Sequence, residues 1–151
     1  MKILVFSDTH RKTEPMAQII RANVGKVDLV IHLGDNYTDL AEIRDDFPQV
    51  AFLGVCGNCD LFVSSRYPVS DTVSLEGHKI FFTHGHKYDI RVADTVLGFE
   101  AKKAGADIVL YGHTHVASDV IIESHCVIRD SRVESGTVVH SFSHMDHAEV
   151  G

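Results

Sequence analysis

Two stretches read together decide the fold: MKILVFSDTH (residues 1–10) and VDLVIHLGDN (residues 27–36). Each is an apolar run of strand length that stops at an aspartate set among small and polar residues. A short run rich in Ile, Val and Leu predicts a strand buried on both faces, as in a parallel sheet covered by helices. Between the two runs, Glu14 to Asn23 has helical spacing, with Pro15 in its first turn and Met16, Ile19, Ile20 and Val24 on one face. Strand, helix, strand in this order predicts parallel pairing through a crossover.

The alternation continues outward. Asn36 to Phe47 reads as a helix ended by Pro48, and Val50 to Val55 as a third strand. Thr72 to Leu75 and Lys79 to Thr83 flank Glu76-Gly77-His78 as a hairpin, which adds antiparallel character. Asp89 to Ala104 has helical spacing closed by Gly105 and leads into a strand over Asp107 to Tyr111. The fold class is α/β.

A chain of 151 residues, 44% hydrophobic and 23% charged, suits one compact domain with a core. No apolar run reaches the ~20 residues that span a bilayer, and the first apolar run is too short for a signal peptide. The expectation is a cytoplasmic protein with no membrane partner. A formal charge of −7 argues against a broad nucleic-acid footprint, yet a cleft made locally positive by cations would still draw a small anionic substrate. Three cysteines cannot close a disulfide framework. Cys56-Gly57-Asn58-Cys59 has C-x-x-C spacing but lacks the helix that redox pairs of this kind open. A homodimer is compatible with the sequence and not specified by it.

Five polar clusters follow predicted strands at their carboxyl ends: Asp8-Thr9-His10, Gly34-Asp35-Asn36, Gly57-Asn58, Thr83-His84-Gly85-His86 and Gly112-His113-Thr114-His115. In open α/β sheets that edge is where loops converge and ligands bind. Carboxylate, amide oxygen and imidazole without a paired thiolate set suit Mn²⁺, Fe²⁺, Ni²⁺, Co²⁺ or Zn²⁺, with Mn²⁺ favoured. Two such ions roughly 3.5–4 Å apart, sharing a carboxylate and a hydroxide, would clamp a phosphoryl group for in-line attack. The bland reading of Asp35 is a helix N-cap before Asn36, and isolated histidines such as His32 and His78 read as structural.

In these motifs the chain resembles the calcineurin-like metallophosphoesterase superfamily, and within it the small bacterial and archaeal phosphodiesterases. The resemblance covers about residues 1–115 and implies a two-sheet sandwich flanked by helices. It implies that Asp8, His10 and His115 hold one metal and Asn58, His84 and His113 the other, with Asp35 bridging. Asp35 and Asn58 thereby join the catalytic machinery, which hydrolyses a small phosphate ester, a diester in preference to a monoester. Many superfamily members carry a proton-donating histidine directly after the asparagine, and here that position is Cys59. Asp60 and His86 are the candidate substitutes. The rival reading is a non-catalytic protein-interaction scaffold of the same fold.

From about Asp119 the pattern changes. Apolar residues recur every six positions at Ile121, Val127, Val133, Val139 and Met145, with Ser131, Thr137 and Ser143 at a fixed offset. That is the rhythm of a hexapeptide β-helix. The segment resembles the acetyltransferase half of the bacterial bifunctional UDP-N-acetylglucosamine pyrophosphorylase, in Glu134-Ser135-Gly136-Thr137 and in Ser143 to Gly151. The expected division is therefore a metallophosphoesterase domain over 1–118, whose usual C-terminal strands are missing or replaced, and an atypical tail over 119–151. Too few coils are present for acyl transfer, and His125, His140, His144 and His147 are expected to have no catalytic role. An edge hairpin over Val120 to Ile128 is the plainer alternative.

Overall fold

The computed structural model describes residues 2–62, 64–90 and 95–113 with their side chains, and beyond them the strand backbones within 119–150. One sheet is built on three parallel strands, β1 (Ile3–Phe6), β2 (Leu29–His32) and β3 (Ala51–Gly54), connected by helices α1 (Thr13–Asn23) and α2 (Tyr37–Ile43). A second sheet holds the hairpin β4 (Ser70–Leu75) and β5 (His78–Thr83), with β6 (Ile108–Tyr111) parallel to β5 after helix α3 (Thr95–Lys103). The hairpin turns through Glu76 and Gly77, both at positive φ (49° and 86°), as a two-residue primed turn demands.

Side-chain alternation explains how the layers stack. Ile3 and Val5 on β1, Leu29 and Ile31 on β2, Ile80 and Phe82 on β5 and Ile108 on β6 share one buried cluster, so the two sheets face each other across it. The intervening residues Leu4, Phe6 and Val30 point the other way, onto Met16, Ala17 and Ile20 of α1 and Leu40 and Ile43 of α2. Phe81 on the outer face of the second sheet meets Leu97 and Ala101 of α3. This is the two-sheet sandwich flanked by helices that the family resemblance implies.

Two helices depart from the periodicity. The second ends as a helix at Ile43 and tightens into a 3-10 turn over Arg44–Asp46, ahead of Pro48. The third is described over Thr95–Lys103 and does not start at the expected Asp89, which sits in the left-handed region (φ 50°) that no right-handed helix can continue through; residues 91–94 lie outside the described residues. Among the described residues, no helix is long and apolar enough to cross a membrane.

The C-terminal strands pair in a regular way. Strand β7 (Asp119–Ile122) lies antiparallel on the free edge of β1, with Leu4 opposite Ile121. Strands β8 (Val127–Arg129), β9 (Arg132–Val133), β10 (Val138–Val139), β11 (His144–Asp146) and β12 (Glu149–Val150) follow. Val138 pairs in parallel with Ile121, His144 with Val127 and Glu149 with Arg132, a stagger of 17 residues each time. Equal stagger in three successive parallel pairs is how a coiled, solenoid-like backbone stacks on itself. Edge pairing and six-residue rhythm therefore coexist, and β8 pairs with β11 instead of closing a hairpin with β7.

Candidate metal centre

The parallel strands all end at one edge, and the loops beyond them hold unusual backbone. Of the eight described non-glycine residues at positive φ, six lie in these loops: Asp8, His10, Arg11, Asp35, Asn36 and His113. Each such conformation costs about 1–3 kcal/mol and persists only where surrounding contacts over-determine it. Glycine is required where loops touch. A Cβ on Gly57 would overlap the Asp35 carboxylate, and one on Gly112 would overlap the Ser7 hydroxyl.

Asp60 supplies much of the constraint. Its Oδ2 accepts the N–H groups of Asp35 (3.0 Å) and Gly57 (2.8 Å), and its Oδ1 those of Asn36 (3.0 Å) and Tyr37 (2.8 Å). Two ligand loops are thus stapled by one carboxylate that also caps the start of α2. Both oxygens of this buried carboxylate are engaged as acceptors, which makes Asp60 a positioning group whatever part it takes as a candidate proton donor. The N-cap reading of Asp35 fails, since Asp60 takes the N–H groups at the start of the helix.

The Asp35 side chain points into the cleft instead. Its Oδ1 accepts the Cys59 N–H (2.9 Å) and lies 3.4 Å from His84 Nε2. Burial pushes its pKa up, but the Cys59 N–H, His84, the Cys59 thiol and His10 outweigh it and hold the carboxyl below its usual range. His84 is fully buried, and its Nδ1 lies 2.9 Å from the Leu33 carbonyl, an acceptor only, so Nδ1 carries the hydrogen. That leaves a lone pair on Nε2 facing Asn58 Oδ1 (3.1 Å), His113 Nδ1 (3.2 Å) and Asp35. A backbone hydrogen bond on one nitrogen and convergent donors around the other is the usual environment of a metal-ligating imidazole.

Two groups of donor atoms lie within 4.8 Å of one another: Asp8, Asp35 and His84, and His10, Asp35 and Cys59. Asp35 belongs to both. Carboxylate oxygen, imidazole nitrogen and thiol sulfur at this spacing are a donor set that fits divalent cations. Asp8, His10, Asp35, Asn58, His84 and His113 are brought to one place, while His115 lies outside the described residues. The His86 ring sits 5.5 Å from that of His84 and 6.2 Å from that of His113. Its buried Nδ1 has no hydrogen-bond partner among the described residues, and desolvation, then its two histidine neighbours, lowers its pKa and favours the neutral ring. Burial pushes the Cys56 thiol up to about 11, and the hydrogen bond to Asp35 does the same for Cys59, so neither is the reactive thiolate of a redox pair. His78 pairs with Asp107 (2.9 Å), away from the cleft.

One supporting group escaped the sequence reading. His32, fully buried, accepts the Gly34 N–H on Nδ1 (3.1 Å), so its Nε2–H faces Thr9 Oγ1 (3.0 Å). Thr9 donates to Asp39 Oδ2 (2.7 Å), which also accepts the Arg11 N–H (2.8 Å). This relay ties the left-handed Asp8–Arg11 loop to β2 and α2. The one signal in the sequence is a histidine inside an apolar strand, too common to single out.

The relay makes a pH prediction. Burial lowers the His32 pKa from 6.5 to about 4, against the raising influence of Asp39, Asp60 and Asp8. Between those values the unfolded chain binds a proton that the native ring refuses. The neutral ring's full stability is present above pH ~6.5 and falls by about 3 kcal/mol as pH drops towards 4. Urea unfolding at pH 7 and pH 4.5 should show that loss, and His32→Gln should flatten it. Equal slopes in both proteins would refute the assignment.

A profile of the calcineurin-like phosphoesterase superfamily domain matches residues 1–141. The chain belongs to that superfamily. Membership places it among the metal-dependent phosphoric ester hydrolases. It is 28% identical over 134 residues to the probable metallophosphoesterase YsnB of Bacillus subtilis, covering 88% of this chain and 75% of that one. It is 31% identical over 129 residues to a phosphodiesterase of Methanocaldococcus jannaschii, covering 76% and 74%. Among solved structures, a conserved uncharacterised protein of Streptococcus pneumoniae, a predicted phosphoesterase, superposes with a TM-score of 0.61 at 37% identity, and the chain spans 64% of its length. The tail region matches differently: 43 residues are 49% identical to the bifunctional protein GlmU of Methylibium petroleiphilum, covering 28% of this chain and 9% of that one.

Proposed function

We propose that the chain is a phosphodiesterase acting on small phosphate esters, with a binuclear centre held by Asp8, His10, Asp35, Asn58, His84, His113 and His115. The sharing of Asp35 between two donor groups is the observation that carries this reading. These residues would hold two divalent cations, Mn²⁺ favoured, whose chemistry when bound would be to activate water and to neutralise charge developing on the phosphoryl oxygens. The protein's part is positional. Asp60 fixes the Asp35 and Asn58 loops, and the Leu33 carbonyl fixes the His84 ring. In this reading residues 1–118 carry the chemistry, residues 119–151 do not, and the protein works in the cytoplasm.

Cys59 occupies the place of the superfamily's proton-donating histidine, and a thiol with a pKa of about 11 is a weak acid at neutral pH. Substrates that carry their own good leaving group should therefore turn over faster, with aryl diesters exceeding alkyl ones by ~10²–10⁴. Cys59→His should narrow that gap by raising the alkyl rate. The deciding experiment assays an aryl and an alkyl phosphodiester with and without Mn²⁺ and counts bound metal. Equal rates would sink the leaving-group argument, and a protein that binds no metal and hydrolyses neither ester would favour a scaffold.

A further inference from the structure

We propose that Cys59 is itself a metal ligand, forming with His10 and Asp35 a mixed nitrogen, oxygen and sulfur pocket that selects thiophilic cations such as Zn²⁺ or Co²⁺ over Mn²⁺ and Mg²⁺. The inference deepens the function above and rests on the same centre binding cations. Its first support is placement: the Cys59 sulfur, a His10 ring nitrogen and an Asp35 carboxylate oxygen lie within 4.8 Å of one another. The second is rigidity. The Cys59 main-chain N–H is bonded to Asp35 Oδ1 at 2.9 Å, so thiol and carboxylate are held side by side by the backbone.

A third feature joins the two halves of the centre. The Asn58 amide nitrogen lies 3.5 Å from the Cys59 sulfur as a donor, while Asn58 Oδ1 faces His84. The sulfur thus orients the amide oxygen meant for one cation while standing beside the other. One imidazole, one carboxylate and one thiol are donor types that would suit a zinc-like cation. Both His10 and Cys59 are exposed while Asp35 is buried, so a cation arrives from solvent against a fixed anchor.

The softness of sulfur sets the selectivity. It also separates this pocket from the neighbouring group of Asp8, Asp35 and His84, which offers only oxygen and nitrogen. The two cations of the centre are then chemically unlike, one in a thiophilic pocket and one not.

Cobalt reports the bond directly. Metal-stripped full-length protein loaded with Co²⁺ should show a sulfur-to-cobalt charge-transfer band in the near ultraviolet beside the weaker visible bands. Cys59→Ser should lose the first and keep the second, and its Zn²⁺ affinity should fall at least ~10-fold with a smaller change for Mn²⁺. Cys56→Ser and Cys126→Ser should retain the charge-transfer band. Visible bands without a sulfur band in the unaltered protein would overturn the Cys59 assignment alone, as would loss of the band in either control variant. No cobalt spectrum of any kind would overturn both this inference and the binuclear reading.

Discussion

Asp35→Asn is expected to lower aryl phosphodiester turnover by ~10³-fold, because the shared carboxylate is worth about 4 kcal/mol of charge stabilisation to the transition state. The change is nearly isosteric, so the introduced amide still fits beneath Gly57 and still offers an oxygen to the Cys59 N–H. What disappears is the negative charge that both donor groups share. Bound metal should fall from two per chain to fewer than one, as read by elemental analysis of dialysed protein. Folding should weaken modestly, since the Cys59 N–H, His84 and His10 together favour the charged carboxyl over the penalty of burial, and a neutral amide keeps only part of that. A variant retaining both metals and activity within tenfold of the parent would eliminate Asp35 as the bridge.

Asp60→Ala should be the most destabilising single change at the site, although Asp60 touches no substrate. It strands four main-chain N–H groups at once, those of Asp35, Asn36, Tyr37 and Gly57. A buried donor left without an acceptor costs about 1–3 kcal/mol, and partial solvation of the less buried groups brings the expected sum to ~4 kcal/mol. For a domain of this size that is a fall of about 10 °C in the melting temperature. Asp60→Asn should fall in between, keeping one acceptor oxygen but turning an amide N–H₂ against two donors. Were Asp60 a proton donor after all, Asp60→Asn would abolish the basic limb of the pH–rate profile and leave the melting temperature untouched. Melting curves and pH profiles on the same two variants separate the cases.

The contrast between Asp35 and Asp60 shows what kind of information each level holds. Both are aspartates beside glycine-containing ligand loops, and the sequence reading assigned a chemical role to each. Only coordinates reveal that one carboxylate faces the cleft and the other faces main-chain donors up to 25 residues away along the chain. His32 makes the same point in reverse, since a position set aside as structural anchors the loop that carries Asp8 and His10.

The C-terminal stretch divides in a similar way. Its six-residue rhythm could be read directly, whereas the attachment of Asp119–Ile122 to the edge of β1 and the recurring 17-residue stagger are matters of pairing. A hydrophobic period says which residues face inward, and nothing in it says which strand lies alongside.

The amino-acid order alone determined the alternating strands and helices, the edge at which the polar clusters gather, and a donor set of carboxylate, amide and imidazole. Those follow from local periodicity and residue chemistry, which act over a few positions at a time. Tertiary structure decided which donors share Asp35, that Asp60 is a staple and that Cys59 stands within ligand distance of His10. These depend on how distant loops pack, a long-range outcome that no short-range pattern encodes.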